Sequence, residues 1–153
     1  MSDDPQLLRD LGLELRHAAF RPVYAVATSE RRLATRQGPP LLRDLATVSG
    51  RENLAQAIMI RLLTPRGELS ALGHPEYGSR LPELIGRENT EATRNLVRFH
   101  ILESLAQEPR IEEVVEVAVA PSRGTRDRVD VRLAVRPIGR GELIGLGPFT
   151  LEL

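Results

Sequence analysis

The sequence predicts an α+β domain in which two main helices pack on a small, mostly antiparallel sheet, with C-terminal strands forming an open edge. Three observations carry this prediction. Two stretches in the middle of the chain repeat apolar residues at the helical period, the C-terminal stretch switches to a period of two, and Gly- and Pro-dense segments separate them. The aromatics are only Phe20, Phe99, Phe149, Tyr24 and Tyr77, so Leu, Val, Ile and Ala must supply the core.

A chain of 153 residues fits one domain with room for flexible arms. Its 21 basic residues, all Arg, balance 21 acidic ones. No net field therefore draws the whole chain to nucleic acid or to an anionic membrane. Sparse aromatics also argue against a base-stacking platform. The absence of Cys excludes disulfides, thiolate metal sites and cysteine nucleophiles. Met1 to Asp10 is acidic and lacks the apolar run of a leader, and no stretch approaches the about 20 apolar residues of a bilayer span. The expectation is a protein folded in the cytoplasm without membrane insertion.

Near the N-terminus, Leu7, Leu11 and Leu15 fit a helical stripe while Leu11, Leu13 and Leu15 fit strand alternation; Gly12 favours a strand after Leu11. A second strand is predicted over Val23 to Ala27. The Arg-rich stretch Ser29 to Pro40, ending Gly38-Pro39-Pro40, reads as an exposed loop. Ser49 followed by Glu52 has the spacing of a capping box, so a helix should run to about Leu63. Its apolar face would be Leu54, Ala55, Ile58, Met59, Leu62 and Leu63, with Pro65 and Gly67 stopping it. The segment Gly73 to Gly78 is too rich in Gly and Pro for regular structure, and a turn of helix follows over Pro82 to Ile85.

A second helix is expected to begin at Asn89 or Thr90, to carry Ala92, Leu96, Phe99, Leu102 and Ala106 on one side, and to stop at Glu108 before Pro109. Val115, Val117 and Val119, then Val129, Val131, Leu133 and Val135, alternate with polar residues as half-buried strands do. The polar linker Pro121 to Asp127 joins them as a hairpin. Phe149, Leu151 and Leu153 make a third short strand, an edge candidate. Gly139 to Gly147 reads as a flexible arm before it. Its glycines lack the Lys and following helix of a phosphate-binding loop. His17, His74 and His100 lie far apart with no second His at helical spacing, so neither a metal nor any other cofactor is expected.

Four segments occur in order: Asn53-Leu54-Ala55-Gln56-Ala57-Ile58, Leu63-Thr64-Pro65-Arg66-Gly67-Glu68, His74-Pro75-Glu76-Tyr77-Gly78 and Glu108-Pro109-Arg110. Together they resemble the W-type baseplate wedge, or sheath-initiator, family of contractile phage tails and injection systems, over roughly residues 44 to 136. The resemblance implies an N-terminal extension over residues 1–43 and a wedge-like domain over residues 44–153. It also implies a non-enzymatic part of a six-fold baseplate, in six copies, whose partners are other wedge proteins and the sheath protein. Carried onto this chain, Glu108, Pro109 and Arg110 would contact the wedge's helical core, Arg110 offering its planar fork. The plainer reading of this triplet is a helix stop with a surface ion pair. Phe149, Thr150, Leu151, Glu152 and Leu153 would form the edge to which a sheath strand adds. Thr64, Gly67, Glu68, Pro75, Tyr77 and Gly78 read as a structural loop. The alternative is a peptidoglycan-cleaving hydrolase, since the family carries a lysozyme-like label and Glu68 and Glu76 could serve as paired carboxylates.

Overall fold

The computed structural model describes residues 8–18, 21–32, 41–139 and 141–153. The chain divides into two compact units, Met1–Gln56 and Ala57–Leu153, and helix α1, Gly50–Leu63, is shared between them in sequence. Among the described residues no helix is long and apolar enough to cross a membrane.

The first unit consists of three antiparallel pairs: β1 (Arg9–Leu11) with β6 (Thr47–Ser49), β2 (Leu13–Ala18) with β3 (Arg21–Val26), and β4 (Thr28–Arg32) with β5 (Leu41–Leu45). The pairs radiate from one point. There Gly12 N–H donates to Ala46 O at 2.7 Å, Ala46 N–H to Ala27 O at 2.8 Å and Ala27 N–H to Gly12 O at 2.8 Å, closing a ring of three backbone hydrogen bonds. Three backbones converge this closely because small residues stand at the junction. A Cβ on Gly12 would already meet Ala46 O at 3.3 Å and the Ala27 Cβ at 3.4 Å. The Gln56 side chain fastens both flanks of Gly12, accepting from Leu13 N–H at 2.8 Å and donating to Leu11 O at 2.9 Å. A strand thus follows Leu11 as expected, the unpredicted β1 precedes Gly12, and β3 covers most of the predicted Val23 to Ala27. The loop expected over Ser29 to Pro40 is corrected at its start, where Ser29 to Arg32 belong to β4. Ladder bonds come from the backbone, so an Arg-rich segment can pair once a partner strand is at hand. Residues 33–40 and Leu7 lie outside the described residues.

In the second unit a three-stranded antiparallel sheet has the order β7 (Ile111–Pro121), β8 (Arg128–Pro137), β9 (Ile144–Glu152). Val129, Val131, Leu133 and Val135 of the central strand are buried on one face, as their alternation predicts. Helix α2 (Glu91–Leu105) packs against β7. Thr90 caps α2, its hydroxyl accepting from Thr93 N–H at 3.2 Å, which satisfies one of the unpaired amides of the first turn. The chain leaves the helix after Leu105, a turn earlier than the sequence suggests. Short 3-10 turns occupy Ser70–Leu72 and Leu81–Leu84.

Three departures have clear causes. First, α2 buries Thr93, Val97, His100, Ile101, Ser104 and Leu105, while Ala92, Leu96, Phe99, Leu102 and Ala106 face outward. The buried polar groups are tolerated because they are bonded: Thr93 to Thr90 and Ser104 Oγ to Gly78 O at 2.9 Å. Second, Val115 is exposed, since register shifts between Ile111 and Glu113 and between Val114 and Glu116 break the alternation of β7. Third, Gly145-Leu146-Gly147 is no arm but lies inside β9, where Gly147 and Pro148 form a bulge opposite Arg132. Gly147 has φ +99°, and a Cβ there would meet Val131 O at 2.5 Å, so the bulge requires glycine. Arg140 is outside the described residues.

Candidate functional site

The triplet Glu108-Pro109-Arg110 follows α2 directly and leads into β7. Its members have different surroundings. Glu108 is 6% exposed, Pro109 is exposed, and the Arg110 side chain is 18% exposed. Glu108 accepts from Arg110 Nε at 2.7 Å through one oxygen and from Arg61 Nη2 at 3.4 Å through the other. Burial pushes the Glu108 carboxyl up, but the hydrogen bonds and charge of Arg110, with the charge of Arg61, outweigh it and hold the group below the usual carboxylate range. The Arg61 guanidinium also lies over the Tyr77 ring, 4.4 Å from its centroid, within the range of a cation–π contact. Burial raises the Tyr77 phenol, with Arg61 opposing the shift.

This cluster ties the triplet to the tyrosine-glycine loop, a link the sequence alone does not make. Arg61 is the residue that sequence reasoning missed. The signal was present: an Arg three positions after Ile58 and seven after Leu54 lies on the apolar face of α1, where a charged side chain is rarely buried without a partner.

The loop itself is built around Thr64 and Gly78. Ser79 N–H donates to Thr64 O at 2.8 Å and Arg66 N–H to Ser79 O at 2.9 Å, so Pro65 and Ser79 form a parallel bridge. Ser79 Oγ reaches Leu62 O at 2.6 Å, and Thr64 Oγ1 reaches Ile60 O at 2.7 Å. Gly67 takes φ +90°, and Glu68 N–H closes the turn on Pro65 O at 3.1 Å. Pro75 is exposed. Arg66, a second cation the sequence reading passed over, pairs with Glu76 and donates to Glu103 Oε1 at 2.8 Å. Those two hydrogen bonds raise the Arg66 guanidinium further, and the bond from Arg66 is the main cause holding Glu103 low. Glu68 and Glu76 are both exposed, and Glu76 is engaged by Arg66. A glycosidase pair needs one carboxyl in an apolar setting facing the other across a cleft. A groove of about 570 Å³ on this unit is lined by β7, β8, the turn between them and Thr150 of β9, and neither Glu68 nor Glu76 lines it.

The sheet has two edges, and they differ. At β7, Arg98 of α2 donates from Nε to Val117 O at 3.1 Å and is itself held by Asn95 Oδ1 at 2.6 Å. The register shifts of β7 further disrupt its edge. At β9, Leu153 N–H donates to Asp127 O at 2.7 Å, which sets the phase of the ladder. In an antiparallel pair bonded and non-bonded residue pairs alternate, so Leu151 and Phe149 face β8. The N–H and C=O groups of Thr150 and Glu152 therefore point outward. Their side chains are tied down on the sheet face, Thr150 Oγ1 to Asp130 at 3.1 Å and Glu152 to Arg128 at 2.6 Å. The predicted residues Phe149 to Leu153 thus lie on an edge strand whose outward backbone groups belong to Thr150 and Glu152.

A search of curated proteins returned no significant match. Among solved structures, a Geobacter sulfurreducens protein provisionally described as a tail lysozyme is similar, with 25% identity and a TM-score of 0.59 over 69% of this chain and 93% of the other. The family model for the contractile injection system sheath initiator matches residues 24–136, beginning within β3 and so earlier than the ordered motifs. The match spans well over half of the sequence, and the chain belongs to the contractile injection system sheath initiator family.

Proposed function

We propose that this sheath initiator joins a baseplate wedge through Arg110 and starts the sheath by accepting a strand along the outer edge of β9. One observation carries the proposal: the outward backbone groups of Thr150 and Glu152 lie on an edge whose side chains are already ordered. An arriving strand would complete ladder bonds without rearranging the sheet. Gly147 and Pro148 limit its reach, because the bulge interrupts the edge and Pro148 has no N–H, leaving Phe149 to Leu153 as the pairing segment. At the wedge, Glu108 acts from below the surface. It occupies Arg110 Nε and so aims the two Nη groups at a carboxylate or a row of carbonyls in the partner's helical core. One copy would serve each of six wedges, and no step would require catalysis.

Thr150→Pro is the direct test, because it deletes an outward N–H and leaves the backbone bonds to β8 in place, losing only the hydroxyl's bond to Asp130. Baseplates carrying it are expected to form without sheath, while the purified protein melts within a few degrees of the parent. Leu151→Pro should abolish sheath and also lower the melting temperature, since that N–H faces β8. Contractile particles of normal length from Thr150→Pro would remove the strand-addition reading. For the wedge contact, Arg110→Lys keeps a cation beside Glu108 but loses the fork. It should yield a folded protein that incorporates poorly into baseplates. Purified protein is expected to release no fragments from peptidoglycan, with Glu68→Gln and Glu76→Gln assembling particles normally; muralytic activity lost in those variants would reinstate the hydrolase.

A further inference from the structure

Between its buried valines, β8 sends Arg128, Asp130 and Arg132 to the opposite, outer face of the sheet. The register sets Ala118 of β7 beside Arg132 and Ala120 beside Asp130. Small side chains next to long ones hollow this face into the groove of about 570 Å³, which Arg123 and Thr125 of the hairpin turn and Thr150 of β9 also line. Its charges are three Arg against one Asp. Asp130 is already engaged, one oxygen accepting from the Ser122 hydroxyl at 2.5 Å and the Thr150 hydroxyl at 3.1 Å. Arg128 gives Nη2 to Glu152 at 2.6 Å, while its Nε and the Thr125 hydroxyl oxygen are shut off from solvent without a hydrogen-bond partner. Such orphaned groups are uncommon in a folded protein. Arg123 and Arg132 are exposed and have no hydrogen-bond or ion-pair partner among the described residues. For Arg132 the reason is local: the bulge at Gly147 and Pro148 leaves no residue of β9 in register with it.

From this we infer that the groove reads the charge of the strand accepted at β9: that strand carries acidic residues at alternate positions, and Arg123 and Arg132 bind their carboxylates on the outer face of the sheet. The inference rests on the strand-addition reading above and specifies the chemistry of its partner. Thr150 links the two, since it lines the groove and also turns its own backbone groups outward from the β9 edge. Residues two apart in a strand fall on one face, so alternate residues of an arriving strand stand beside Thr150 and Glu152 on the groove's side of the sheet. From there β8 is two strand spacings away, about 9.6 Å. An extended Glu and an extended Arg together cover that gap. The guanidinium fork suits a carboxylate, and a charge-assisted bond to Arg132 would fill the place that the bulge leaves empty. Nucleic acid fits poorly, because no aromatic residue lines the groove and bases would have nothing to stack on. A second copy pairing β9 with β9 fits poorly as well. The one carboxylate of that strand is Glu152, and Arg128 already holds it.

The experiment titrates the purified full chain with two synthetic peptides, four repeats of Thr-Glu and four of Thr-Gln, and follows the complexes by NMR. The Thr-Glu peptide is expected to shift the Thr150 amide and the Nε–H signals of Arg123 and Arg132. It should bind about tenfold or more tightly than the Thr-Gln peptide at low salt, with the difference shrinking as salt screens the charges. Arg123→Gln combined with Arg132→Gln should abolish the preference and melt as the parent does, because both side chains are exposed and unpaired. Equal binding of the two peptides, binding of neither, or shifts confined to residues outside the groove and β9 would overturn the inference. So would inorganic phosphate shifting the two Arg signals where the Thr-Glu peptide does not. In particles, the double Gln variant should lower the sheathed fraction by about tenfold. If it sheaths normally while Thr150→Pro does not, strand addition stands and the charge reading falls; if both sheath normally, both fall.

Discussion

Glu108→Gln is expected to lower the unfolding free energy by about 3–5 kcal/mol, the usual cost of breaking a buried ion pair by removing one partner. The substitution keeps the shape of the side chain and removes the charge that lies between Arg110 and Arg61. Arg61 would suffer most. Its side chain is 9% exposed and its Nε is already buried without a hydrogen bond, so the Tyr77 ring would be left as its principal compensation. The same group sets a pH dependence. Because the folded state holds the Glu108 carboxyl below its ordinary range, the folded protein binds fewer protons there than the unfolded chain. The stabilisation is therefore complete above the ordinary glutamate value of about 4.3 and is lost as pH falls through the lower folded value. Urea unfolding at pH 7 and at successively lower pH checks both points. The parent should lose stability on acidification, and Glu108→Gln should lose less because it begins without the charge. A variant within about 1 kcal/mol of the parent at pH 7 would show that the cluster is not a structural anchor.

Gly78→Ala is expected to cost about as much, by a different route. Gly78 has φ +105°, and a Cβ there would lie 2.4 Å from Thr64 O and 3.0 Å from the Pro65 carbonyl carbon. Those atoms belong to backbone fixed by the Pro65–Ser79 bridge, so they cannot swing aside as a side-chain end would. Gly78 also supplies the carbonyl that satisfies the buried Ser104 hydroxyl. A loss of about 3 kcal/mol or more follows from conformational strain and displacement together. Gly73→Ala provides the comparison, since Gly73 shares a positive φ of 84° but a Cβ there would find no neighbour within 4 Å. It should cost only about 1–2 kcal/mol. Equal losses in the two variants, measured by denaturant unfolding, would mean that the close approach to Thr64 is relieved without cost.

Both predictions concern contacts invisible at the level of motif. The ordered segments around Thr64, Tyr77 and Glu108 carry the family resemblance, yet nothing in their spacing says that Arg61 pairs with Glu108 and lies over the Tyr77 ring. On sequence alone the plainer reading of the triplet is a helix stop with a surface ion pair, and only the structure shows that Glu108 is buried while it accepts from Arg110 Nε. The two faces of α2 make the same point. Periodicity detects an apolar stripe, but α2 carries two, and the one containing Leu96, Phe99 and Leu102 is the more hydrophobic to the eye. The core takes the other because Thr93, His100 and Ser104 find hydrogen-bond partners there, which removes the penalty that polarity would impose.

By itself the sequence determined the α+β class, the helix ending at Leu63, the start of α2 at Asn89 or Thr90, the buried alternation of β8 and the terminal strand around Leu151. Each follows from local chemistry: a period, a capping side chain, a residue unable to continue a helix. Tertiary structure alone decided which face of α2 is buried, where bulges shift β7 and β9, which sheet edge is covered by Arg98, and which Arg side chains share Glu108. The physical reason is that burial, register and charge pairing are set by which segments meet across long separations, and no local period records that meeting.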